Sequence, residues 1–224
     1  MLVLASASPR RQELLRNAGI PFVVQPADID ETPLTGEAPR ECAVRLAREK
    51  ALTVWRVRAK AAPPRDAQTQ DVVLGADTIV VVDEMILGKP VDREDAARML
   101  RLLSGRVHRV ITGVCVIGPV TGNRLPVASR TGTRNYQERI DENPAADRSP
   151  LTASETTLVT MNELSDEEIR EYVATGEPMD KAGAYAIQGM ASRWIPRIEG
   201  DYSNVVGLPV ALVCEMLRGR LRES

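Results

Sequence analysis

The sequence predicts an α/β fold, and three observations carry that reading. Short runs rich in Val, Ile and Leu alternate along the chain with helical segments of amphipathic spacing. The first such pair, Leu2-Val3-Leu4-Ala5 and then Pro9 to Gly19, is joined by a tight Ser6-Ala7-Ser8 connection. The chain has 224 residues, 43% hydrophobic and 27% charged, which suits one domain or two small lobes with a sizeable core.

Leu2 to Ala5 reads as a strand. Ser8 is a good N-cap for the helix that follows, Pro9 fits its first position, and Gly19 closes it. Phe22 to Gln25 is a short strand, and Pro26 to Glu37 an acidic loop with Asp28, Asp30 and Glu31. Pro39 opens a helix to about Trp55, broken by Ala61-Ala62-Pro63-Pro64. Asp71 to Asp83, rich in Val and Ile, is a strand pair or one long strand interrupted at Gly75. Met85 to Gly88 is another short strand. Asp92 caps a helix through Leu103, and Arg109 to Ile117 is a strand. Glu155 to Met161 is a strand, Ser165 to Glu168 a capping box for a helix to Ala174, Tyr185 to Ile187 a short strand, and Leu208 to Leu217 a closing helix.

Composition excludes several functions. A net charge of −2 leaves no footprint for nucleic acid or a membrane surface, and 3% aromatic residues leave few stacking platforms for single strands. Cys42, Cys115 and Cys214 are odd in number and far apart, so free buried thiols in a reducing compartment are expected. No signal peptide or membrane span is recognisable, and a cytoplasmic location is expected. The chain lacks GxxxxGK[ST] and GxGxxG motifs.

Several residues are candidates for chemistry. Arg10 and Arg11 fall in the first helical turn, where the dipole disfavours cations by roughly 0.3–1 kcal/mol each. Either a negative ligand offsets that, or the helix start is exposed and its arginines lie in water. The Ser6 and Ser8 hydroxyls, free backbone N–H groups and two guanidinium forks suit a polyphosphate. Asp77 sits inside an apolar run; it is either a general base or magnesium ligand, or part of a Gly75-Ala76-Asp77 hairpin turn. Lys50 shares a helical arc of roughly 140° with Cys42, Ala43, Leu46, Ala47 and Val54. It either snorkels to the edge or enters a polar pocket. Lys89 is a phosphate contact or a solvated loop residue, Glu31 a metal ligand or a solvated acid, and Gln188 an amide able to read a base edge. His108, the only histidine, reads as a packing or surface residue.

Beyond these single readings, seven blocks in order resemble the Maf family, nucleoside triphosphate pyrophosphatases also known as septum-formation inhibitors. They are Leu4 to Arg11, Ala47 to Ala51, Gly75 to Thr78, Gly88 to Pro90, His108 to Gly113, Asp180 to Gly189, and Gly200 to Pro209. The resemblance implies a mixed twisted sheet with flanking helices, two lobes around a central cleft, and commonly a homodimer. It implies hydrolysis of a nucleoside triphosphate to the monophosphate and pyrophosphate with a divalent cation, Mg²⁺ or Mn²⁺. By the same resemblance Asp77 is the proton acceptor and a candidate metal ligand. Ser6, Arg11, Lys50 and Lys89 are triphosphate contacts, and Glu31 is a metal or water-positioning group. Arg10, Thr78 and Gln188 match the branch acting on dTTP and UTP, with modified pyrimidine nucleotides as further substrates. A nucleotide-sensing module in septum formation is the competing expectation. The segment from Pro119 to Thr152 is longer than the family's usual connection and reads as an insertion or long loop.

Overall fold

The computed structural model describes residues 1–61, 71–119, 149–218 and 220. Strands β1 (Leu2–Leu4), β2 (Phe22–Val24), β3 (Val72–Val82), β4 (Met85–Leu87), β5 (Val107–Ile117), β6 (Leu151–Thr160) and β7 (Arg197–Glu199) form one mixed sheet. Helices α1 (Pro9–Asn17), α2 (Pro39–Ala61), α3 (Arg93–Leu103), α4 (Asp166–Ala174), α5 (Tyr202–Val206) and α6 (Val210–Leu217) flank it. The order is β2-β1-β3-β5-β6-β7, parallel across β2, β1 and β3 and antiparallel from β3 to β7.

The sheet forks along one edge of β3. Strand β1 pairs with its first residues, Val72 to Leu74, and the Ala5 N–H still reaches the Leu74 carbonyl at 2.8 Å. Strand β4 pairs only from Val80 to Val82, returned there by the two-residue turn Asp83-Glu84, both with positive φ. Between those two partners, β3 has no strand neighbour on that edge among the described residues. The two halves of the sheet thus share β3 and β5. Ligands of open α/β sheets bind in such crevices, beyond the carboxyl ends of strands.

Apolar packing follows the alternation of strand faces. Val73 and Cys115 face α2 with Ala47, Ala51 and Val54. Leu74, Ala76 and Val114 face α6 with Leu212, Val213 and Met216. The far half of the sheet, through Val80, Val82, Val110 and Val159, packs on Met99, Leu100 and Leu103 of α3 and Ile169 and Tyr172 of α4. The His108 ring is 2% exposed and meets Tyr185 Oη at 2.8 Å through Nε2, as a packing residue. Burial pulls it down to about 4.

Some sequence expectations need correction. Strand β3 runs unbroken through Gly75, which removes the hairpin-turn reading of Asp77. Helix α2 continues past Trp55 to Ala61. Tyr185 to Ile187 is not a strand: Gly183 and Ala184 take positive φ, and the sheet edge goes instead to β7, which sequence reasoning missed along with α5. Cys42, Cys115 and Cys214 are free as expected, but Cys214 is exposed. Strand β6 begins at Leu151, paired with Val116, so the expected 119–152 segment gives its last residues to the sheet. Residues 120–148 of that segment lie outside the described residues.

Candidate active site

Where β1 ends, the chain turns into α1 and places two hydroxyls at the fork. Ser8 caps α1, its Oγ accepting from the Arg11 N–H, and its own N–H donates to Ser6 Oγ at 3.3 Å. Arg11 lies buried. It donates from Nε to the Gly207 carbonyl at 2.8 Å, from Nη1 to Ser6 Oγ at 3.0 Å and from Nη2 to Thr78 Oγ1 at 3.0 Å. Burial lowers the Arg11 guanidinium from its ordinary range, while Asp77 and Glu31 pull the other way. Thr78 Oγ1 also meets Thr112 Oγ1 at 2.9 Å on the neighbouring strand, and Thr112 donates to the Asn204 carbonyl. This ladder ties β1, β3, β5 and α5 into one rigid wall.

Asp77 projects from the other face of β3, beneath α2. Glycines allow that helix to lie almost on the backbone. A Cβ at Gly75 would fall 2.2 Å from the Ala47 carbonyl, and one at Gly113, paired with Asp77, 2.2 Å from the Ala43 carbonyl. The close approach brings Lys50 Nζ to 2.6 Å from Asp77 Oδ1. Lys50 is 7% exposed and takes the polar-pocket alternative, not the snorkelling one. Its ammonium also meets Glu31 Oε1 at 2.5 Å, and Lys89 Nζ approaches Glu31 Oε2 at 3.3 Å. Partial burial pushes the Glu31 carboxyl up, but the hydrogen bond and charge of Lys50, then Lys89, outweigh it and hold it low.

Ser6, Ser8, Arg10, Arg11, Glu31, Lys50, Asp77, Thr78, Lys89 and Gln188 all line one cavity of about 710 Å³. The structure therefore brings together every candidate site residue that the sequence singled out. Cys42 lines it too; burial first, then the Glu37 charge, push its thiol up to about 11, so no thiolate nucleophile is on hand. One wall is cationic and hydroxyl-bearing, and the floor holds a carboxylate clamped by an ammonium. That arrangement suits a polyphosphate and a positioned water.

The donor set also fits a hard divalent cation. Asp77 and Glu31 both contact the same Lys50 nitrogen, so their oxygens already converge on one positive charge. Among the described residues no three His, Cys, Asp or Glu side chains cluster. One or two carboxylates completed by phosphate oxygens is the usual protein contribution to Mg²⁺.

Comparison with known proteins shows the family of this chain. A family model described as "Maf-like protein" matches residues 1–220. The chain belongs to the Maf family. It is 51% identical over 217 residues to a protein of Koribacter versatilis (strain Ellin345) named dTTP/UTP pyrophosphatase, covering 97% of this chain and 93% of that one. A Symbiobacterium thermophilum protein of the same name is 48% identical over 216 residues, covering 96% and 92%. One from Geobacter sulfurreducens is 48% identical over 218 residues, covering 97% and 95%.

Sequence reasoning missed several supports in this Maf fold. Arg45 on α2 grips the Glu31 loop: it donates to Glu37 Oε1 at 2.7 Å, to Glu37 Oε2 at 2.8 Å and to the Thr32 carbonyl at 3.1 Å. Its spacing to Glu49 reads as an ordinary surface pair, and only the fold shows the loop connection. Thr112 and Asn204 fall inside the family-like blocks, but their bracing roles were not legible there, because their partners lie far away in the chain.

Proposed function

We propose that this chain hydrolyses dTTP and UTP to the nucleoside monophosphate and pyrophosphate. The observation that carries the reading is the convergence of Asp77, Lys50, Glu31 and Lys89 beside the Ser6–Arg11 turn in one cavity. The names of close relatives along nearly the whole chain support the same reaction.

Ser6, Ser8, Arg10, Arg11 and Lys89 line the wall and bind the triphosphate. Lys50 holds Asp77 by Oδ1, leaving Oδ2 to receive a proton from water. The water oxygen bonds to the α-phosphorus in line with the leaving group. The bond from that phosphorus to the bridging oxygen breaks, and pyrophosphate departs with the electron pair. Cationic groups offset the charge it carries away, so positioning and electrostatics supply most of the acceleration. Asp77 and Glu31 would hold Mg²⁺ or Mn²⁺ together with phosphate oxygens, and the bound ion would neutralise phosphate charge. Arg10, Thr78 and Gln188 set the pyrimidine preference. Gln188 offers a donor and an acceptor, matching the N3–H and carbonyl edge shared by thymine and uracil.

The enzyme works on free nucleotides in the cytoplasm, in keeping with its three unpaired cysteines, and as a homodimer. No helix among the described residues is long and apolar enough to cross a membrane. Pyrophosphate release from dTTP, UTP, CTP and GTP, with Mg²⁺ or with a chelator, tests the reading. Faster turnover of dTTP and UTP, abolished by the chelator, is expected. Equal rates on all four would remove the pyrimidine preference, and absence of release with intact binding would favour a nucleotide sensor.

A further inference from the structure

Gln188 is exposed, and among the described residues its amide makes no hydrogen bond to the protein. Its position is therefore set by the backbone turn that carries it. That turn is held at both ends by one pair, a buried tyrosine and a half-buried glutamate. The Ala186 N–H donates to Tyr172 Oη at 3.2 Å, and the Met190 N–H donates to Glu177 Oε1 at 3.1 Å. Tyr172 Oη in turn donates to Glu177 Oε1 at 2.7 Å, so a single hydroxyl–carboxylate bridge spans the turn.

The pair is itself fixed. Tyr172 is fully buried on α4 and meets Trp194 edge-on, with ring centroids 5.4 Å apart. Trp194 Nε1–H donates to Glu168 at 3.0 Å. The turn also lies flat against the carboxylate: a Cβ at Gly189 would fall 2.2 Å from Glu177 Oε1. None of these groups except Gln188 itself and Ala186 lines the cavity.

We propose that Tyr172 and Glu177 are positioning residues for base selection, acting through the 186–190 turn to hold the Gln188 amide at the base edge. The inference rests on the reading of Gln188 as the base reader. It predicts that the bridge governs which pyrimidine is accepted, while the phosphate-binding wall is untouched.

The test uses Tyr172→Phe, which keeps the buried ring and removes only Oη, and Glu177→Gln as a second variant. Each is measured well below its melting temperature, for kcat/KM on dTTP, UTP and CTP and for inhibition by inorganic tripolyphosphate. The expected result is a fall of about fivefold to tenfold in the dTTP-to-CTP ratio, the size of one lost hydrogen bond. Tripolyphosphate inhibition should stay at the wild-type value. In a Gln188→Ala background, Tyr172→Phe should leave the ratio where Gln188→Ala alone sets it. If Gln188→Ala collapses the ratio but Tyr172→Phe and Glu177→Gln do not, the positioning role is overturned and the base-reader reading stands. If Gln188→Ala leaves the ratio unchanged, the base-reader reading falls and this inference with it. Equal loss on all three nucleotides and on tripolyphosphate would make the pair a purely structural brace and overturn the proposal.

Discussion

Replacing Lys50 by methionine tests how the site is built. The ammonium stands 2.6 Å from Asp77 and 2.5 Å from Glu31, with the Lys50 and Asp77 side chains only 8% and 10% exposed. Methionine keeps an unbranched apolar stem of similar length and loses little helix propensity. What remains is a buried carboxylate without its partner, beside a second one. Breaking a buried pair in this way costs about 3–5 kcal/mol. Glu31 is 44% exposed, so its share is screened and the lower end applies. We expect about 3 kcal/mol less stability at pH 7.5, and a melting temperature lower by roughly 6–12 °C for a chain of this length. Adding Asp77→Asn should recover part of the loss, as a double-mutant cycle. Urea unfolding of the four proteins at pH 7.5 measures all of this. A Lys50→Met variant as stable as wild type at pH 7.5 would refute the buried pair and return Lys50 to an ordinary snorkelling lysine.

Asp77→Asn should remove turnover while leaving dTTP affinity within a few-fold, as read by pyrophosphate release and calorimetric titration; activity near wild type would dismiss Asp77 as the proton acceptor. Gly75→Ala should destabilise the fold by about 1–3 kcal/mol and lower activity together, since the added methyl meets the Ala47 carbonyl at 2.2 Å; a neutral variant would show that α2 has room to lift. His108 binds its proton more weakly folded, at about 4, than unfolded, near 6.5. Its contribution is thus fully present above pH 6.5 and is lost as pH falls toward 4, amounting to about 3 kcal/mol. His108→Gln should flatten that part of the stability–pH curve, and an unchanged slope would reject the assignment.

Much of the fold was legible because its signals are local. Ser8-Pro9, Asp92 and the Ser165–Glu168 box announce helix starts, and each caps as expected. The apolar arc of α2 correctly placed Lys50 on the buried face. The continuity of β3 was not legible, because a glycine inside a strand and a glycine in a turn look alike until the helix above it is known. The fork was hidden too, since nothing in Gly75 to Ile79 records which neighbours end nearby. Tyr185 to Ile187 has strand composition but follows two residues of positive φ, one of them an alanine that sequence alone does not flag. Site residues surfaced where a charge or amide stood in the wrong company. Their supports did not, because Arg45, Thr112, Tyr172 and Glu177 look ordinary in their own segments.

The bare backbone beneath α2 has a consequence for how this protein fails. At Gly75 and Gly113 the helix rests on the sheet with no side chain between them, and the same seating sets the Lys50–Asp77 distance. There is no compliant layer to absorb a small displacement of the helix. A shift too slight to register as unfolding already separates the ammonium from the carboxylate. Heat inactivation and loss of structure should therefore begin at one joint.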